Sequence, residues 1–144
     1  MNKFEDLKLD NQLCFSLYAA SREVIKRYKS CLDRFNLTYT QYVVMLVLWE
    51  DEKSTVKEMG KRLHLDSGTL TPLLKKIEGM GLINRYRNVN DDRVVVVELT
   101  EKGRNLKEEM TCVPKEMVCR INLDEEEIRT LKDGLDNLLR KLKE

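Results

Sequence analysis

The stretch TVKEMGKRLHLDSGTLTPLLKKIEGMGLINRYRNVNDDRVVVVEL, residues 55–99, constrains this chain more than any other. Thr55, three residues ahead of Glu58, predicts a capping box that opens a short helix over VKEMGKRLHL. A turn follows at Leu65 and Asp66. SGTLTPLLKKIEGMG then predicts a second helix that closes near Gly79 to Gly81, with lysines just before its end. Pro72 cannot donate to a helix ladder and is tolerated only near a first turn, so this helix is expected to begin between Asp66 and Thr69. Residues 82–87 and 94–99 read as paired strands, and NVNDD between them is a turn by composition. Helix, turn, helix and strand pair, in that order, make the pattern of a winged helix-turn-helix. In that arrangement the second helix enters a DNA major groove and the strand turn lies beside it.

The rest of the chain predicts a mainly α fold around this small β-hairpin wing. Residues 10–35 carry apolar positions at Leu13, Leu17, Ala20, Val24, Tyr28, Cys31 and Phe35, one helical stripe with Asp10 as a candidate N-cap. Phe15 and Tyr18 lie off that stripe, as expected of a helix that packs on a partner chain as well as its own domain. Asn36 and Leu37 break the helix. Thr38 with Gln41 caps a buried helix, YTQYVVMLVLWE, and EDEKS reads as a polar connector. Thr100 caps a helix interrupted around Pro114. Asp124 with Glu127 opens the last helix, whose stripe of Ile128, Leu131, Leu135, Leu138 and Leu142 is a two-helix packing seam. A single domain over residues 1–144 follows, with dimerising helices at about 1–36 and 101–144 and a DNA-binding lobe at about 38–100.

Hydrophobic residues are 42% and charged residues 35%, and the longest apolar run, eight residues, is far short of a membrane span. The first residues lack the apolar core of a secretory signal, so a cytoplasmic location is the default. The net charge of +1 is indifferent to nucleic acid, but residues 53–104 hold 11 Lys and Arg against 7 Asp and Glu. That basic middle between acidic arms is compatible with one segment facing phosphates. Four cysteines without CxxC spacing and a single histidine lack the ligand clustering of a structural zinc site, so no metal or cofactor is expected.

A reading helix uses short polar and long basic side chains at its N-terminal half, and Ser67, Thr69, Thr71 and Lys75 fit that role. Arg93 in the strand turn is placed to reach a minor groove or phosphate, with Asp91 or Asp92 orienting it. Arg85 and Arg87 either face the backbone or fix the wing by ion pairs. The terminal seams predict a homodimer on a pseudo-palindromic site. Cys14 lies near the start of the first long helix, where the dipole favours a thiolate. On these residues alone buried packing is the commoner reading of such a cysteine. His64 reads as a helix-end polar residue.

The run DSGTLTPLLKKIEGMGLINR, followed by NDDRVVVVELTEKG, resembles the MarR family of dimeric winged-helix repressors, in its D-x-R wing (Asp91 to Arg93) and L-T-x-x-G junction (Leu99 to Gly103). LDNQLCFSLYAASRE, with Tyr28 and LTYTQY, is similar to the organic hydroperoxide resistance regulators of that family. The resemblance implies that Cys14 is a peroxide-reactive thiol and that Tyr28 and Tyr39 of the other subunit donate hydrogen bonds to it. Phe15 and Tyr18 would then help line an apolar pocket. It also implies either a single essential thiol that couples to a low-molecular-weight thiol, or a disulfide to a second cysteine. Cys119 or Cys112 would be that resolving thiol, while Cys31 reads as packing. Two alternatives remain open: a regulator released by a small aromatic ligand, and a thiol peroxidase, which would have no use for a wing and shows no further catalytic constellation.

Overall fold

A computed structural model describes residues 2–144 and resolves them into seven α-helices, three short 3-10 turns and three strands. The first long helix, α1 (Leu13–Leu32), is shorter than the predicted span of 10–35. Asp10 does not cap it: it lies in a 3-10 turn over Leu9–Asn11, and Gln12 takes the capping position without a side-chain cap bond. The Gln12 amide donates instead to the carbonyls of Asp6 and Lys8, at 2.6 and 2.8 Å, tying the N-terminal turns down. The predicted break at Asn36 is real, with that residue at a φ of 58°, where asparagine is one of the few tolerated side chains.

The capping box of Thr38 and Gln41 starts α2 (Tyr39–Asp51), the most buried helix, with Val44, Met45 and Leu48 fully enclosed. The EDEKS segment is more than a connector. Its end forms a third strand, β1 (Lys53–Thr55), too short and polar to show as one in the sequence. Thr55 caps α3 (Val56–Leu63) through the Glu58 amide. His64 ends α3 in the left-handed region, as the helix-end residue expected. Next come α4 (Ser67–Gly79), β2 (Ile83–Arg87) and β3 (Val95–Leu99). The sheet is antiparallel in the order β1-β3-β2, with Val97 of the central strand facing Ser54 on one side and Arg85 on the other.

Thr100 caps α5 (Glu101–Glu109) and α6 (Cys112–Ile121) follows. The interruption lies at residues 110–111, not at Pro114, which sits in the first turn of α6 where its missing amide costs little. The predicted Asp124–Glu127 box opens α7 (Glu125–Leu142). The core joins α2, α3, α4 and the sheet through Met59, Leu70, Leu74, Ile77, Ile83 and Val97. Trp49 pins α5 onto α2 with a 2.8 Å bond from its indole N–H to the Gly103 carbonyl. By contrast α7 buries no residue, and α1 buries only Cys31 and Leu32. Leu13, Phe15, Leu17 and Ile25 of α1 and Leu131, Leu139 and Leu142 of α7 stay exposed, an apolar surface that one copy of the chain does not cover.

Candidate nucleic-acid interface and thiol site

The N-terminus of α4 is built by Asp66, whose carboxylate accepts the Thr69 amide at 2.7 Å. That bond holds the Asp66 carboxyl below its usual range. Leu70, Leu74 and Ile77 turn inward on the 3.6 period, so Ser67, Thr69, Thr71 and Lys75 are left exposed. α4 starts at Ser67, within the expected window, which makes Pro72 its sixth residue, and the missing N–H leaves the Gly68 carbonyl without its helical donor. Both residues lie on the exposed side, where water or a ligand group can meet that carbonyl. An open cleft runs beside this helix end. Ser67 and Thr71 line it together with Lys57 and Lys61 of α3, Arg85 and Arg93. Lys57 and Lys61 were not among the residues expected from sequence, although their i, i+4 spacing puts them on one helix face.

The wing arginines have three different roles. The Arg93 side chain is 90% exposed, and its Nε and Nη2 meet the two carboxylate oxygens of Asp91 at 3.1 and 3.2 Å. This pairing holds the Asp91 carboxyl low and aims the guanidinium. Asp92 supports the wing by another route, its backbone carbonyl accepting Arg87 Nη1 at 2.6 Å. Arg85 faces inward to Glu78 of α4, which accepts the Arg85 amide at 3.0 Å and its guanidinium at 3.1 Å. Of the two roles expected for Arg85, the structure shows the ion pair.

Cys14 is the second residue of α1, exposed and free. Phe15 and Tyr18 beside it are also exposed, and the Tyr18 hydroxyl accepts from Arg22 at 3.3 Å. Tyr28 lies fourteen residues along the same helix, about 21 Å away at 1.5 Å per residue. One chain therefore cannot bring Cys14 to Tyr28 without breaking α1. Tyr28 instead packs on Tyr39 with ring centroids 4.7 Å apart. Tyr42, not expected from sequence, completes the cluster at 5.8 Å from Tyr28. Burial first, then the neighbouring phenols, pushes the Tyr28 hydroxyl up to about 12. Burial raises Tyr39 as well. Both phenols stay protonated near neutral pH, as a donor to a thiolate must, and neither hydroxyl has a hydrogen-bond partner among the described residues.

The other thiols differ in setting. Cys31 is fully buried, 4.0 Å from the Met117 sulfur, and burial raises its pKa, as befits packing. Cys112 is half-buried with Arg34 Nη2 at 3.1 Å from its sulfur, and Cys119 is exposed on the same helix. Those two are seven residues apart on α6, about 10.5 Å, too far to pair with each other. Among the described residues no group of three or more His, Cys, Asp or Glu is placed to hold a metal ion, and no helix is long and apolar enough to cross a membrane.

Residues 26–110 match the family of transcriptional regulators described as SarA/Rot. The chain is 50% identical over 141 residues to the organic hydroperoxide resistance transcriptional regulator of Bacillus subtilis strain 168, covering 98% of this chain and 96% of that protein. Its fold is similar to that of reduced AbfR bound to DNA, at 36% identity and a TM-score of 0.79, covering 99% of this chain and 100% of the other. Against disulfide-formed AbfR the TM-score is 0.66, covering 95% and 96%.

Proposed function

The chain belongs to the MarR-type winged-helix transcriptional regulators, in the branch of the organic hydroperoxide resistance regulators, and we propose that it is a dimeric operator-binding repressor that Cys14 makes sensitive to organic hydroperoxides. The observation that carries the sensing half is the separation within one chain. Cys14 and the tyrosine cluster sit at opposite ends of α1, and the phenol hydroxyls are unengaged. The apolar surface of α1 and α7 is suited to a second copy, and an antiparallel crossing of two α1 helices would set each Cys14 against the other subunit's Tyr28 and Tyr39. Two phenol donors there stabilise the thiolate. Phe15 and Tyr18 would form the apolar approach for the peroxide. On this reading residues 1–36 and 101–144 dimerise, residues 38–100 read DNA, and the protein works in the cytoplasm.

The chemistry is a two-electron oxidation. The Cys14 thiolate attacks one oxygen of the hydroperoxide, the O–O bond breaks, and the alkoxide takes a proton and leaves as an alcohol. The sulfenic acid then condenses with a second thiol, losing water. Cys119, Cys112 or a low-molecular-weight thiol supplies that thiol.

In the reduced dimer two α4 helices enter successive major grooves, about 34 Å apart. Ser67, Thr69, Thr71 and Lys75 line the groove edge, Arg93 reaches beside it, and Arg85 fixes the wing. Modifying Cys14 at the dimer seam shifts that spacing, and the operator is released. Among the AbfR forms, the reduced and the overoxidised DNA-bound structures match this chain equally, at a TM-score of 0.79, and the disulfide form matches at 0.66. This favours disulfide formation over oxidation of the thiol alone as the step that changes the shape of the subunit. The test is a gel shift with Cys14→Ser. It is expected to bind operator as tightly as the wild type and to stay bound in cumene hydroperoxide. Release of the variant by peroxide would remove Cys14 from the mechanism, and release by a small aromatic acid instead would favour the ligand-gated alternative.

A further inference from the structure

Val89 lies in the turn between β2 and β3, two residues past the end of β2, with 96% of its surface exposed, more than any other large apolar side chain among the described residues. Most of its rivals lie on α1, α7 or the turns before α1, the surfaces assigned above to a second copy. The loop beneath Val89 is fixed by several bonds. The Asn88 amide donates to the Val94 carbonyl at 2.8 Å, and the Val94 amide returns a 3.0 Å bond to the Asp91 carbonyl. The Asn90 amide meets Asn88 Oδ1 at 2.8 Å, and Arg87 holds the Asp92 carbonyl. A β-branched side chain is itself stiff about χ1. The result is a hydrogen-bonded loop that leaves an isopropyl group in water, which gains nothing in the free chain.

The neighbours of Val89 indicate what it meets. Asn88 and Asn90 flank it, and Arg93, its side chain 90% exposed, projects from the same turn. Amide and guanidinium groups around an apolar point are the equipment of minor-groove binders. Arginine is drawn to the deep negative potential of a narrow A·T-rich groove. The walls of that groove are sugar C–H groups, which suit an isopropyl group. Its floor is open at A·T pairs but carries the projecting guanine amino group at G·C pairs.

We propose that Val89 is an apolar wedge seated in the minor groove flanking each half-site, and that it makes the wing discriminate A·T from G·C pairs there. This rests on the reading that the chain binds operator DNA. Val89 packs between the sugars while Arg93, aimed by Asp91, lies along the same groove.

The probe is a duplex selected from a random pool by the reduced wild-type dimer. Hydroxyl-radical cleavage of the bound duplex locates the sugars covered by the wing. At those positions A·T, I·C and G·C pairs are exchanged; I·C presents the minor-groove edge of A·T with the major-groove edge of G·C. The wild type is expected to bind A·T and I·C duplexes alike and the G·C duplex about tenfold more weakly. Val89→Ser is expected to unprotect those sugars and to cut the G·C penalty from about tenfold to about twofold, the remainder being the pull of the groove on Arg93. A serine variant that keeps both the footprint and the full G·C penalty would overturn the proposal. So would a wild type that discriminates I·C from A·T, since that reading comes from the major groove. A wild type that selects no duplex overturns the DNA-binding reading itself, and is told apart by the absence of any bound species.

Discussion

Gly103 shows what a single residue carries in this fold. A Cβ there would fall inside the Leu82 carbonyl oxygen and against the Leu99 side chain, and its own carbonyl takes the Trp49 indole N–H. Both neighbours are fixed, one by backbone and one by the core, so neither can yield cheaply. Gly103→Ala is expected to lower unfolding stability by about 1–3 kcal/mol, read from the urea midpoint at unchanged slope. The sequence marked this glycine as part of an L-T-x-x-G junction but held no sign of the close approach, which joins residues twenty-one positions apart. Tyr42 was missed for a similar reason. It reads as one more apolar residue of a buried helix until the fold brings Tyr28 and Tyr39 to its ring. The pairing of Asp91 with Arg93 is a contact over two residues and was legible, whereas the cap of Asp66 on Thr69, equally local, was read only as a turn.

Among the elements, α4 and the wing are joined by the Glu78–Arg85 clamp, among the described residues the only ion pair with both side chains about one-third exposed or less. It ties the end of the reading helix to the first wing strand, and so fixes the angle at which both meet DNA. Arg85 itself holds the Glu78 carboxyl below its usual range. Glu78→Ala is expected to speed amide exchange at Arg85 and along β2. It should also weaken operator binding roughly tenfold, since a charge-assisted pair of this kind holds a loose wing in register. Unchanged exchange with unchanged affinity would make the pair incidental. Helices with a strong period and a capping residue, α2, α4 and α7, were legible in the sequence almost to the residue. β1 was not, because three polar residues become a strand only when β3 lies alongside. The start of α1 also moved, because Gln12 and the preceding turns compete with Asp10 for the chain there.

For the whole molecule, the apolar stripes of α1 and α7 announced a partner from the sequence, and the structure leaves those faces uncovered. What no stripe reveals is which ends meet across the seam. The central claim is that each sensing site is shared, with Cys14 from one subunit and Tyr28 and Tyr39 from the other. Two tagged heterodimers test it, each followed by the rate of Cys14 oxidation under limiting cumene hydroperoxide. In the first, one subunit carries Cys14→Ser and the other carries Tyr28→Phe with Tyr39→Phe. In the second, all three changes lie on one subunit beside a wild-type partner. A shared site leaves one fast-reacting thiol in the first heterodimer and only slow reaction in the second. The opposite pattern, slow in the first and fast in the second, would place the tyrosines in the same subunit as the thiol they serve and contradict the account.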